Sequence, residues 1–281
     1  MSSMSLPLAL VLLSYGIALT QAASDSRAVT LAWLRLGDLI SLSLLGIAGA
    51  TLLMDPPIRG ASALNFICPL LAGGTFVHLV LVQSGRRRAE RLVIALTCAA
   101  MALVFILPYL VEPLAWMQAL NAAPTGSDAL ATPAWPQRLI GLALALAACL
   151  TGGSLMTMLL GHAYLTAASE MTQQPFLRLT ALLLAALVMR LALALSAGLW
   201  PWWSAQSASH ATGLPMVPIF MIATRFLMGI LVPLIMTWMA RQCVRIRSNQ
   251  SATGILYVSS TMILVGEFLG LTLVSMHGLP F

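Results

Sequence analysis

Residues 176–200 read FLRLTALLLAALVMRLALALSAGLW. Past Arg178 the run holds one charged side chain, Arg190, and it exceeds the roughly 20 apolar residues that a helix needs to cross a bilayer core. The same pattern recurs along the chain. It predicts spans over 5–24, 29–54, 62–84, 91–111, 138–166, 176–200, 215–240 and 254–277. Lipid offers no partner to a backbone N–H or C=O, so such spans must be helices that satisfy their own backbone. The expected fold is all-α: a polytopic transmembrane helix bundle of about eight helices, with residues 1–281 forming a single integral membrane domain. The second and fifth spans are long enough to tilt. Pro69, Pro108, Pro218 and Pro233 lie in or near spans, where a missing N–H favours a kink.

Composition excludes a soluble body. The chain has 281 residues, 60% of them hydrophobic and 8% charged, where a soluble domain carries about 25% charged. The longest loop, 113–137, is too short for a second domain. All 14 residues counted as Lys or Arg are arginine. They cluster in short loops at span ends, which points to the bilayer surface and away from nucleic acid. Cys68, Cys98, Cys149 and Cys243 are far apart and form no CxxC pair, so neither a disulfide framework nor a zinc site is expected. There is no Walker A, GxSxG, HExxH or CxxCH motif.

Charge fixes an expected orientation. With the N-terminus outside, the inner loops hold Arg27, Arg86, Arg87, Arg88, Arg91, Arg178, Arg241, Arg245 and Arg247, and the outer loops hold only Arg59 and Arg138. That asymmetry satisfies the positive-inside rule for a bacterial inner (cytoplasmic) membrane protein with both termini periplasmic. Residues 6–24, ending near Ala22 and Ala23, have the apolar character of a signal peptide but no basic n-region. Cleavage there would invert every later helix, so the first helix is expected to be retained. Gly73–Gly74, Gly152–Gly153 and the pair Gly266 and Gly270 are small patches that would let helices approach closely.

Ionisable groups at membrane depth need a partner or a role. Arg190, Arg225 and Glu267 come from three consecutive spans and should share a depth of about 20 Å from the inner face, at 1.5 Å per residue. The bland assignment is an ion cluster that staples the helices. The functional one starts from two positive charges against one negative: the surplus would hold a proton-linked or anionic group such as a carboxylate, a phosphate or a haem propionate. Ser260 and Thr253 precede Glu267 on one helix face and would give a proton or polar ligand a track.

A second layer lies nearer the inside. His78 and His162, on different spans, should share a depth of about 8–9 Å. Two such histidines could ligate haem b iron from both sides, making them metal ligands in that case, or hydrogen-bond a quinone. The bland assignment is two histidines bonded to neighbouring helices. Asp38 would pass protons, or would pair with Arg35 three residues before it. The Trp200-Pro201-Trp202-Trp203 run with His210 nearby resembles the tryptophan-rich loop of haem-handling cytochrome c maturation proteins. It covers one loop and lacks their acidic residue, and tryptophans at a span end also serve as interface anchors.

The function expected from these residues is a membrane subunit of a respiratory or electron-transfer complex, binding haem b or quinone between helices and working with partner subunits. Its rivals are a transporter for a small anionic or lipid-like substrate, with the arginines at the substrate site, and a ligand-free scaffold or assembly subunit.

Overall fold

A computed structural model describes residues 5–54, 62–105, 137–166, 172–203 and 216–277, which are helices joined by short turns, with no strand among the described residues. The helices are α1 (Ser5–Ala23), α2 (Leu31–Met54), α3 (Ser62–Gln83), α4 (Arg87–Phe105), α5 (Gln137–Thr166) and α6 (Gln174–Trp203). Next come α7, a rod running Met216–Phe226, Leu227–Leu231 and Val232–Arg245, and finally α8 (Asn249–His277). Seven of them, all but α4, are long and apolar enough to cross a membrane. The described part of α4 carries Arg87, Arg88, Glu90 and Arg91 in its first turns, and the rest of its expected span, 106–111, lies outside the described residues. The expected loop 113–137 lies almost wholly outside them, as do Arg59 and His210; nothing is described of the Arg138, Trp200, Trp202, Trp203 or His277 side chains.

Polarity is inverted relative to a soluble protein. Leu53, Met54 and Phe66 are 85%, 86% and 73% exposed, while Asp38, Glu267, Arg225 and Ser154 are buried. Lipid accepts the first group at no cost, and the second group is sheltered from it. The cysteines are all free.

Hydrogen bonds bring the arginine-rich turns together at one end of the bundle. Arg87 Nη1 donates to the Ser26 carbonyl at 2.7 Å, and Arg91 pairs with Asp25 across the same gap between α4 and the α1–α2 turn. At that end Tyr164 Oη donates to the Thr172 carbonyl, and the Tyr164 and Phe176 rings stack with centroids 5.2 Å apart. Because the helices alternate, the start of α1 and the end of α8 lie at the opposite end.

The core has two large clusters and a small one of Ala143, Leu146 and Leu193. One large cluster gathers mostly side chains of α1–α4, around Tyr15, Leu45, Ile67 and Met101, with Leu144, Ala147 and Ala148 of α5 and Leu271 of α8. The other gathers mostly α5–α8, around Met156, Leu187, Ala240 and Leu256, and takes in Ile17, Trp33, Leu34 and Val82 from the first half. The seam between these halves is the crossing of α1 on α5. A Cβ added to Gly16 would collide with the Ala148 carbonyl, and one added to Gly152 would collide with the Gly16–Ile17 peptide. Two glycines thus let two backbones touch, the close approach that membrane helices use in place of a hydrophobic driving force.

Pro233 shapes α7. With no N–H, and with a ring that crowds the carbonyl four residues earlier, proline forces the preceding turn to open. Leu227–Leu231 is a π turn, closed by the Val232 N–H on the Leu227 carbonyl. Gly229 lies in this wide turn and meets Gly266 of α8: a Cβ on Gly229 would come 2.7 Å from the Gly266 Cα and 2.8 Å from Arg225 Nη1.

Candidate functional site

Two buried ionic centres stand out, one in each half of the bundle. In the first half, α2 places Asp38 inward and α3 places His78 opposite it. His78 Nδ1 lies 2.9 Å from both Asp38 oxygens, and the two residues are 0% and 2% exposed. The carboxylate fixes which ring nitrogen carries its proton and leaves Nε2 uncommitted to Asp38. The expected pairing of Asp38 with Arg35 does not form. Asp38 turns to His78 because both lie on inward faces, while Arg35, one position round from the Leu34–Asp38 face, lines a different cavity.

His78 forms part of the wall of a cavity of about 280 Å³, together with Gln21, Leu34, Glu90, Arg91 and Arg178. Gln21 donates from Nε2 to the Leu34 carbonyl at 2.8 Å. Gly37 makes room for it, since a Cβ there would come 2.6 Å from Gln21 Nε2. Glu90 is 1% exposed, and among the described residues neither of its carboxylate oxygens accepts a hydrogen bond; Arg87 pairs with it, Nη1 3.6 Å from Oε1. The cavity therefore puts Glu90, ion-paired with Arg87 alone among the described residues, on one wall with His78 of the dyad.

His162 is exposed and lines a second cavity of about 680 Å³ with Trp33, Arg35, Leu36, Arg87 and Leu159. His78 and His162 lie five and four residues from the ends of their helices and line different cavities. Leu34 of α2 lines one, and Leu31 and Arg35 line the other. Among the described residues no group of three or more His, Cys, Asp and Glu side chains converges on one point.

The second centre joins α6, α7 and α8. Arg190 Nη2 donates to Glu267 Oε2 at 2.9 Å, and Arg225 Nη2 donates to Glu267 Oε1 at 2.7 Å. The three side chains are buried, and Arg190 Nη1 also donates to the Ala143 carbonyl of α5 at 3.1 Å. One carboxylate thus ties four helices. Arg225 Nε and Nη1 are buried without an acceptor among the described residues. The helices begin earlier than the expected spans, so at 1.5 Å per residue the triad lies about 24–30 Å from the arginine-rich helix ends. The hydroxyls expected to form a track are committed to backbone: Ser260 donates to the Ser154 carbonyl at 3.0 Å and Thr253 to the Asn249 carbonyl at 2.7 Å.

Sequence reasoning placed Asp38, His78 and the triad but missed Glu90, Gln21 and Gly16. Glu90 carried a signal: it is the one acid among four arginines in 86–91. Gln21 and Gly16 carried none, because their roles depend on which helices cross. Searches with the chain match no protein-family model, no curated protein and no solved structure.

Proposed function

We propose that this protein is a membrane subunit of an electron-transfer complex, in which a quinone binds beside His78 and exchanges protons through the His78–Asp38 dyad. The observation that carries the reading is the symmetric 2.9 Å contact of His78 Nδ1 with both Asp38 oxygens, at the wall of a cavity. An imidazole held this way offers Nε2–H or Nε2 to a quinone oxygen, and the buried carboxylate stabilises the imidazolium when a proton is taken up. Reduction of a quinone consumes two electrons and two protons. Partner subunits supply the electrons, and the cavity lined by Glu90 supplies the protons. By the positive-inside rule that cavity opens to the cytoplasm of a bacterial inner membrane. The donor set suits quinone better than haem b, since the two histidines line separate cavities.

The test is chemical. Protein purified in mild detergent is extracted with organic solvent, and the quinone is quantified per chain. Near-stoichiometric quinone is expected for the wild type and for His162→Ala, with loss in His78→Ala and Asp38→Asn. A wild type that carries no quinone and binds none when it is added would overturn the reading. So would retention in both dyad variants.

One observation favours a second reading, transport of a small anion. Two guanidinium groups face one carboxylate, and two nitrogens of buried Arg225 have no acceptor among the described residues. That reading requires anion flux in proteoliposomes that disappears in Arg225→Ala while the protein still folds.

A further inference from the structure

The larger cavity is built differently from the dyad cavity. Its wall combines apolar Val29, Trp33, Leu36 and Leu159 with Arg35, Arg87 and His162. Arg35 Nε is buried there without an acceptor among the described residues. Arg87 spends Nη1 on the Ser26 carbonyl and stands 3.6 Å from Glu90, which leaves its other N–H groups available. The three basic side chains lie near helix ends. Arg35 is four residues into α2, Arg87 opens α4 and His162 is four residues from the end of α5, each within about 6 Å of a helix end at 1.5 Å per residue. Leu36, in the wall of the groove, is 43% exposed, so that side of it meets lipid.

We infer that this groove is a binding site for one anionic glycerophospholipid of the arginine-rich leaflet. The phosphate lies between Arg35 and Arg87, His162 donates to a head-group oxygen, and the first carbons of the acyl chains lie along Leu36 and Leu159. The volume, about 680 Å³, is in the usual range for a ligand site, about 300–1,000 Å³. Two guanidinium groups against a single nearby carboxylate favour a net negative head group over a zwitterionic one, and basic pockets between helices at this level hold such head groups in general. Arginine suits the task because its planar fork matches phosphate oxygens. The site is independent of the quinone reading, which concerns the other cavity.

Full-length protein in detergent is titrated with phosphatidylglycerol and, separately, with phosphatidylcholine and inorganic phosphate, and adducts are counted by native mass spectrometry. One tightly held phosphatidylglycerol per chain is expected, with phosphatidylcholine and phosphate at least about tenfold weaker, a difference of about 1.4 kcal/mol. Arg35→Gln should weaken phosphatidylglycerol binding about tenfold. Ala163→Trp keeps every charge and fills the groove from α5, so it should do the same; it keeps the test open if Arg35→Gln fails to fold. Equal retention of phosphatidylcholine, equal binding of free phosphate, or full phosphatidylglycerol binding in the folded variants would overturn the site. Displacement of phosphatidylglycerol by added ubiquinone would also overturn it, by giving the groove to a quinone. Loss of quinone from His78→Ala alone leaves the lipid site standing, so the two proposals fail separately.

Discussion

Glu267 is the residue on which most depends. It is fully buried and holds two guanidinium groups on two other helices. Glu267→Ala would leave Arg190 and Arg225 close together in low dielectric, and stranding buried charge in this way costs about 3–5 kcal/mol. The thermal midpoint in detergent should fall steeply. Glu267→Gln should fall less, because the amide oxygen still accepts from a guanidinium; a Gln variant as unstable as Ala would show that the ionic attraction, not the hydrogen bond, holds the helices. These contacts were legible from the sequence, since few charges survive at membrane depth and each must find a counterpart. The Asp38 partner was not. Spacing allowed Arg35 at i−3, and only the rotation of α2 against α3 selects His78.

Among the elements, α7 is the one whose sequence and geometry are most tightly linked. Pro233 opens the turn Leu227–Leu231, and that wide turn sets the angle between Arg225 and the rest of the rod. Pro233→Ala restores an N–H and lets the turn close to ordinary α geometry, which would rotate Arg225 by about one residue's step, roughly 100°. Removing a helix-interior proline normally stabilises a helix. Here the variant should be less stable than the wild type, because Arg225 leaves Glu267. A rise in thermal midpoint would show that the π turn is not needed to place the arginine. Proline marked a kink from sequence alone; the type of turn depends on Gly229 meeting Gly266, a contact between segments far apart in the chain. Helix ends were the coarsest expectation. α7 and α8 each run about five residues further toward the arginine-rich side than the apolar runs, since polar residues continue a helix past the lipid.

At the scale of the molecule, the alternation of helices collects the Arg-rich turns at one end. If that end is cytoplasmic, reporter fusions after residues 86, 172 and 246 should all read cytoplasmic, and fusions at 125 and 207 periplasmic. A fusion at 125 that reads cytoplasmic would remove α4 as a span and reverse the helices after it. Hydropathy made the bundle readable, because twenty apolar residues have few other destinations. The packing order of the helices was not readable, since lipid-facing and buried faces are both apolar and the selecting contacts are made by small residues. The Gly16–Gly152 crossing has a consequence for biogenesis. Membrane chains are inserted from the N-terminus onward, so α1 through α4 reach the bilayer before α5 exists. Until α5 arrives, α1 presents a notch at Gly16 where bare backbone meets lipid tails instead of another helix. The early half is thus a nascent intermediate with a defined vacancy, and synthesis of α5 is the step that closes it.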